Sequence, residues 1–388
     1  MYERGSFFEL QEGKEFIHIM KLIISKSNLL KGVQIVSKAV SSKTTMSILE
    51  CILIDATKGN IRLVANDMEL AIETIVEGQI IEKGMVALPC KIFSDIVRSF
   101  PDGDISLNTE DNYNTFLTCE KSKFNIIGRN PEEFSDIPQV DRQEGIVLSQ
   151  FTLKEVIRHT IFSISDNDTN KAMGGELFDI NGDCFKVVSL DGHRISIRKV
   201  FLKNSYELNK VIVPGKTLNE LMKILSGETD KDLTLYFTDK HIVFEFDETV
   251  MVSRIIEGEY FKIDQMLSTD YETKLKVNRK VFLDCINRAT LLVKEGDKKP
   301  VIITINDESM ELKINSVVGS MKEEIIITKE GKDLMIGFNP KFLIDALRVI
   351  DDEEVTLYLV NPKAPCFIRD EEQNYVYLIL PVNFTTVA

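Results

Sequence analysis

Apolar and polar positions along this chain fall into a few recurring patterns, and the clearest one is helical. Leu218, Leu221, Met222 and Leu225 follow the i, i+3, i+4, i+7 spacing that places side chains on one helix face. Pro214 stands just before the run, at a position helices tolerate. A short apolar stretch, residues 211–213, precedes it and predicts a strand. Lys216 and Lys223 lie seven apart, so they share the face opposite the apolar stripe.

The same helix recurs at a shift of 125 positions in either direction. Upstream, the stripe becomes Phe93, Ile96, Val97 and Phe100, with Lys91 and Arg98 as the basic pair. Downstream, it becomes Leu343, Ala346, Leu347 and Ile350, with Lys341 and Arg348. An acidic column keeps step: Asp95, Glu220, Asp345. The next strand repeats too, at 104–107 and 354–357, while its middle copy at 232–235 comes three residues late and predicts a longer loop there. A repeat of this length is domain-sized, well above a solenoid unit. The chain therefore reads as three tandem copies of one domain, spanning 20–145, 146–267 and 268–388.

Residues 1–19 do not fit the repeat. Glu3, Glu9, Glu12 and Glu15 mix with Phe7, Phe8 and Phe16, without a turn-bounded strand, which predicts a disordered or loosely packed extension. In the first repeat the pattern predicts a helix over 29–40, with Leu30, Val33 and Val36 on one side. Strands are expected at 51–54, 61–64, 70–75, 116–119 and 124–127, then a Pro-bounded linker at 131–144. The second repeat opens with a strand-to-helix passage at 146–156, and strands follow at 178–180, 185–188, 242–246 and 251–256. A second linker is expected at 267–272. The third repeat predicts a helix over 279–293, strands at 302–305, 312–314 and 324–327, and a last strand at 375–380. Strands outnumber helices and come in runs, so the fold class is α+β with antiparallel sheets.

Composition narrows the function. Across 388 residues the formal net charge is −14, which argues against a protein that coats phosphates with its whole surface. Cys51, Cys90, Cys119, Cys184, Cys285 and Cys366 form no CxxC pair, so neither a metal site nor a disulfide framework is expected, and a reducing cytoplasm fits. No apolar run approaches the ~18–20 residues that span a bilayer, and no signal-peptide pattern opens the chain.

Phosphate-cradling glycine motifs are missing, and residues 214–217, although they contain Gly-Lys-Thr, lack the earlier glycine and the loop length of a P-loop. No cofactor is expected. The four histidines make no HExxH motif. One local cluster carries catalytic residue types: Asp191, Gly192, His193 and Arg194. Asp-Gly there reads first as a turn between strands, and a hydrolase using Asp191 and His193 is the alternative. The basic columns also admit two readings. They could be solvated faces in which Lys91–Asp95, Lys216–Glu220 and Lys341–Asp345 pair at i,i+4. Yet all six column positions are Lys or Arg in an acidic chain, and that recurrence suits a polyanion held without base readout.

Several stretches carry a resemblance beyond the repeat: residues 49–70 with their 66–70, 187–194 with their Asp-Gly-His-Arg, 211–216, 336–339, and the ending 377–384 with Tyr377 and Pro381. Together, over 20–384, they resemble the beta subunit of bacterial DNA polymerase III, the sliding clamp. The resemblance implies a head-to-tail homodimeric ring of six similar domains, with antiparallel sheets outside and two helices per domain inside. Such a ring encloses double-stranded DNA without sequence specificity. It is a non-catalytic processivity factor that tethers the replicative polymerase, works with a clamp loader and serves other replication and repair proteins. The alternative within this architecture is a three-domain scaffold that never encircles DNA.

The same resemblance implies roles for particular residues. DNA contacts fall on Lys43, Lys91, Arg98, Lys171, Lys216, Lys223, Lys341 and Arg348. At the ring interface, Phe124 and Ile126 of one copy face Leu291 and Leu292 of the other. A partner-peptide pocket draws Met173, Leu190, Gly192, His193, Arg194, Ile195, Phe261 and Met266 from the second repeat. From the third it draws Asn339, Phe342, Pro365, Leu378, Ile379, Leu380, Pro381 and Val382, with His193 and Arg194 as polar anchors at the rim. Phe261 stands where the family commonly has Pro, and Asn383 and Phe384 depart from its usual ending.

Overall fold

The computed structural model describes residues 19–41, 44–135, 137–138, 140, 142, 144–165, 170–293 and 299–384. The expected N-terminal extension lies outside them, apart from Ile19.

Among the described residues six α-helices punctuate the strands: α1 Lys26–Val36, α2 Cys90–Ser99, α3 Gln150–Arg158, α4 Gly215–Ile224, α5 Arg279–Thr290 and α6 Pro340–Val349. Helices α2, α4 and α6 are each ten residues long and start at 90, 215 and 340, so the 125-residue period holds to the residue. Both α2 and α4 begin just after a proline, and α6 begins on one. The leading helices α1, α3 and α5 start differently. Each is capped by the last residue of the strand before it: Ser25, Ser149 and Asn278 accept backbone N–H groups of the first turn.

The Ser25 cap moves the start of α1 upstream of the expected 29, and the helix yields to a 3₁₀ turn, Ser37–Ala39, before the expected end. In this register Leu29, Val33 and Val36 form the inner stripe, and Leu30 is half-buried rather than in line with them. Gly32 on the same face lets α1 lie close to its sheet, where a Cβ would fall 2.5 Å from Val76 Cγ2 and 2.9 Å from Leu63 Cδ1.

The chain divides into two compact units. The first ends at Gln139 and takes in Asp247–Val252. It holds an antiparallel five-stranded sheet in the order Gln79–Glu82, Met20–Ser25, Asp104–Thr109, Asn114–Cys119, Ser122–Ile127. Its other strands run Leu70–Val76, Ile61–Asn66, Cys51–Asp55, Met85–Pro89, again antiparallel. Helix α1 packs on α2.

The second unit comprises Val140–Phe246 and the chain from Ser253 onward, and it contains the second and third repeats. What binds those two repeats into one unit is a continuous seven-stranded sheet. Strand Arg194–Pro214 of the second repeat pairs antiparallel with Tyr375–Ile379 of the third, in the register Arg194↔Ile379 to Arg198↔Tyr375. The expected short strands 178–180 and 185–188 are parts of one long strand, Gly175–Leu190, which runs beside Arg194–Pro214 as an extended hairpin with bulges after Ile180 and Gly182. A four-stranded antiparallel sheet, ordered Gly319–Ile326, Ser309–Ser316, Val301–Ile305, Leu334–Phe338, completes the third repeat. Phe282 of α5 and Leu343 and Leu347 of α6 are fully buried in a core with Ile303, Phe338, Leu357 and Tyr377, so truncating one of the leucines to Ala would cost about 2–5 kcal/mol. No helix among the described residues is long and apolar enough to cross a membrane.

Candidate functional site

The repeated helices carry their charge where the sequence places it. Phe93, Ile96 and Val97 of α2, Leu218 and Leu221 of α4, and Leu343, Ala346 and Leu347 of α6 are buried, whereas Met222 is half-buried. Lys91, Arg98, Lys216, Lys223, Lys341 and Arg348 are all exposed. Arg98, Lys223 and Arg348 occupy last turns, the end at which the helix dipole favours a cation. Lys91, Lys216 and Lys341 occupy first turns, where the dipole favours an anion, and none of these turns contains an acidic residue. Local helix energetics therefore gives no reason for the three lysines.

The acidic column does not pair with those lysines at i,i+4 as the solvated-face reading expects. Asp95 bonds Arg98 at 3.1 Å and Glu220 bonds Lys223 at 2.7 Å, both at i,i+3, and Asp345 turns away from its own helix to Arg194 at 2.7 Å. Lys171 is exposed at the start of a 3₁₀ turn, Lys171–Gly174, while Lys43 and residues 166–169 lie outside the described residues.

A cavity of about 450 Å³ opens in the second unit. Met173, Leu190, Gly192, His193, Arg194 and Ile195 form one side, with Phe261 and Met266, and Pro365, Leu378 and Leu380 form the other. The sheet explains how residues so far apart in sequence meet. Pairing of Ile195 with Leu378, plus a bond from Leu380 N–H to the His193 carbonyl at 2.9 Å, fixes the two strand ends side by side. Leu378 packs with Leu177, Val188, Leu190 and Ile195 beneath the cavity, and Leu380 and Met266 stay partly open at its mouth.

Five residues expected here stand elsewhere. Ile379 points to the opposite face of its strand, because side chains alternate, and is sealed in the third repeat's core. Asn339 caps α6, its Oδ1 accepting from Lys341 N–H. Phe342 lies behind the wall, against Arg194 and His193. Pro381 and Val382 have passed the cavity, and Val382 N–H donates to Gly337 O at 2.9 Å.

Arg194 is not the rim anchor expected from its sequence position. It is buried, with Nε donating to Asp191 Oδ2 at 3.0 Å, Nη1 to Asp345 Oδ2 at 2.7 Å, and Nη2 to the Phe162 carbonyl. Its guanidinium also lies 4.6 Å from the Phe342 ring centre. Asp191 is equally committed. Its Oδ1 accepts from the N–H groups of His193 and Arg194, closing a turn in which Gly192 takes φ +85°. With both carboxylate oxygens so engaged, Asp191 orients a turn rather than an imidazole. His193 instead sets its ring edge-on to Phe342, at 6.0 Å.

The expected interface residues divide. Ser122–Ile127 is an edge strand, and Phe124 on it is 40% exposed, its ring edge-on to Phe100. Ile126, on the same strand face, is buried within the first unit, so the outward apolar residue at this end is Ile127, at 77%. In the second unit, Leu291 is 81% exposed just after α5, and Leu292 is half-buried.

Two polar features escaped the sequence pattern, one partly exposed and one buried. Glu155, His159 and Asp351 bring ligand-type atoms within 4.8 Å of one another, but Arg158 sits among them, 2.6 Å from Glu155 and 3.4 Å from Asp351. That cation holds the Glu155 carboxyl below its ordinary range, and burial lowers His159, so this is an ion-pair network rather than a cation site. Glu176 is fully buried, and among the described residues neither of its oxygens accepts a hydrogen bond; the nearby Thr160 Oγ1 donates to the Val156 and Ile157 carbonyls. Burial raises its carboxyl well above the ordinary range.

Known proteins share this succession of domains. Residues 20–138, 147–262 and 264–383 match, in turn, the N-terminal, central and C-terminal domains of the DNA polymerase III beta subunit. The beta sliding clamps of Staphylococcus epidermidis and Staphylococcus aureus are 32% and 33% identical over 375 residues, covering 94% of this chain and 99% of each relative. A Eubacterium rectale structure solved as a DNA polymerase III beta subunit is 65% identical with a TM-score of 0.92. The DNA polymerase sliding clamp of Bacillus subtilis is 31% identical with a TM-score of 0.90, and each alignment covers 94% of this chain and 100% of that structure. Neither these relatives nor the geometry of Asp191 and His193 supports a hydrolase. Three beta-subunit domains in order, built of antiparallel sheets with few helices, place this chain in the DNA polymerase III beta subunit family, the bacterial sliding clamps of DNA replication.

Proposed function

We propose that two copies of this chain join head to tail into a ring that encircles double-stranded DNA and holds the replicative polymerase on it. The observation that carries this reading is the triplicate basic pair: six exposed cations on α2, α4 and α6, at one period, in a chain of net charge −14. Enclosure reconciles the two facts. A closed ring is retained by topology, so it needs only a weak, sequence-independent electrostatic cushion where it meets phosphates. Lys43 and Lys171 would add to that cushion from loops. The domains of each copy run 20–145, 146–267 and 268–388, with α1 to α6 lining the hole.

In this reading the chain performs no catalysis. Tethering raises the local concentration of the polymerase at the template, and processivity follows from that alone. A clamp loader opens the ring in the cytoplasm, and the polymerase and other replication and repair proteins dock a short apolar segment in the cavity beside Leu378 and Leu380. Met173 and Met266 there are flexible enough to accept several partners.

The test is retention on nicked circular DNA. Loaded protein should co-elute with the circle and be lost when one restriction cut linearises it. Equal retention on both forms, or a monomeric native mass at micromolar concentration, would overturn the ring.

A further inference from the structure

We propose that Asp345, which does not line the cavity, is a positioning residue of the partner-docking site and acts through Arg194; this rests on the docking reading above. The acidic column makes the argument. Asp95 and Glu220 occupy the same place in α2 and α4, and each bonds the cation three residues on, Arg98 or Lys223. Asp345 has Arg348 at that spacing and does not bond it. No ion pair among the described residues holds Arg348, so the exchange also leaves that cation available to a polyanion.

From Asp345 a chain of contacts leads to the cavity lip. Arg194, 6% exposed, is balanced by two carboxylates, Asp345 and Asp191. Asp191 in turn closes the turn that presents Gly192 and His193, and the His193 carbonyl holds Leu380 on the opposite wall. Arg194 reaches Asp191, Asp345 and the Phe162 carbonyl at once because its donors form a fixed planar fork, which a lysine lacks. Without the Asp345 charge, a buried guanidinium keeps one counter-charge of two and must reorient or admit water. The lip then loses its fixed geometry, although every wall residue remains.

The experiment measures binding of the full-length chain to the purified cognate replicative polymerase, by surface plasmon resonance. Asp345→Asn should weaken binding about tenfold, about 1.4 kcal/mol, with the change in dissociation rate. Asp345→Glu should recover part of it. Asp95→Asn and Glu220→Gln, in the same column, should bind as wild type. Arg194→Lys should also weaken binding, and combining it with Asp345→Asn should add little, since both break one contact. Equal affinity for wild type and Asp345→Asn overturns the proposal, as does an equal loss from Asp95→Asn. Failure of the wild type to bind polymerase overturns the docking reading instead.

Discussion

Reversing the first-turn lysines separates a DNA-facing surface from a solvated one. The perturbation is Lys91→Glu, Lys216→Glu and Lys341→Glu in one chain, which moves the formal net charge from −14 to −20, two units per substitution. All three side chains are exposed, opposite the buried stripe, so the core is untouched. Each also sits at the end of its helix where the dipole prefers an anion, a gain of about 0.3–1 kcal/mol per reversal. Against it, the new carboxylate meets Asp95, Glu220 or Asp345 at i,i+4, a like-charge cost of about 0.2–0.5 kcal/mol, so the net change is small and not destabilising. The melting temperature should therefore hold or rise. DNA binding should move the other way. If each lysine meets one phosphate, the slope of log K against log salt falls by about 0.9 per lysine, or about 2.7 per chain. Introduced carboxylates add repulsion that salt screens, so the deficit should be largest near 50 mM salt and narrow towards 200 mM, order-of-magnitude bounds for such contacts. Fluorescence anisotropy on a short duplex gives the slope, and scanning calorimetry gives the stability. An unchanged slope in a folded variant would refute the reasoning, as would a large loss of melting temperature, which would mean the lysines serve their own helices.

Other outcomes follow from single sites. Leu291→Asp changes a side chain 81% exposed in the chain alone, so it should leave each copy folded and shift sedimentation from dimer to monomer. Leu380→Asp places a charge at the mouth of the apolar cavity, and titration calorimetry should show polymerase binding weakened by at least tenfold without loss of folding. Glu176 titrates in an unusual direction. Burial holds its folded pKa well above 4.5, so its contribution favouring the fold is present below about pH 4.5 and is lost as pH rises towards the folded pKa. Glu176→Gln cannot ionise, so its melting temperature should match wild type near pH 4 and exceed it at pH 8, and equal pH profiles would refute this.

Much of the molecule is legible in one dimension because its information is local or periodic. The three helices at 90, 215 and 340 were visible because an apolar stripe and a basic pair recur at a fixed shift, and helical spacing converts that pattern into faces without reference to anything distant. The cavity was legible through resemblance, since Asp191 to Arg194 and the chain end lie about 190 positions apart and no propensity links them. What tertiary structure decided was the direction of individual side chains. Strand alternation sent Leu378 under the cavity and Ile379 into the core. The same parity turned Ile126 inward and left Ile127 exposed. The pairing of Arg194 with Ile379 brought a buried guanidinium beside α6, and there it captured the Asp345 carboxylate that local spacing assigned to its own helix. A charge buried away from water needs its counter-charge more than an exposed one does, so the burial of Arg194, which no local pattern records, settled where Asp345 points.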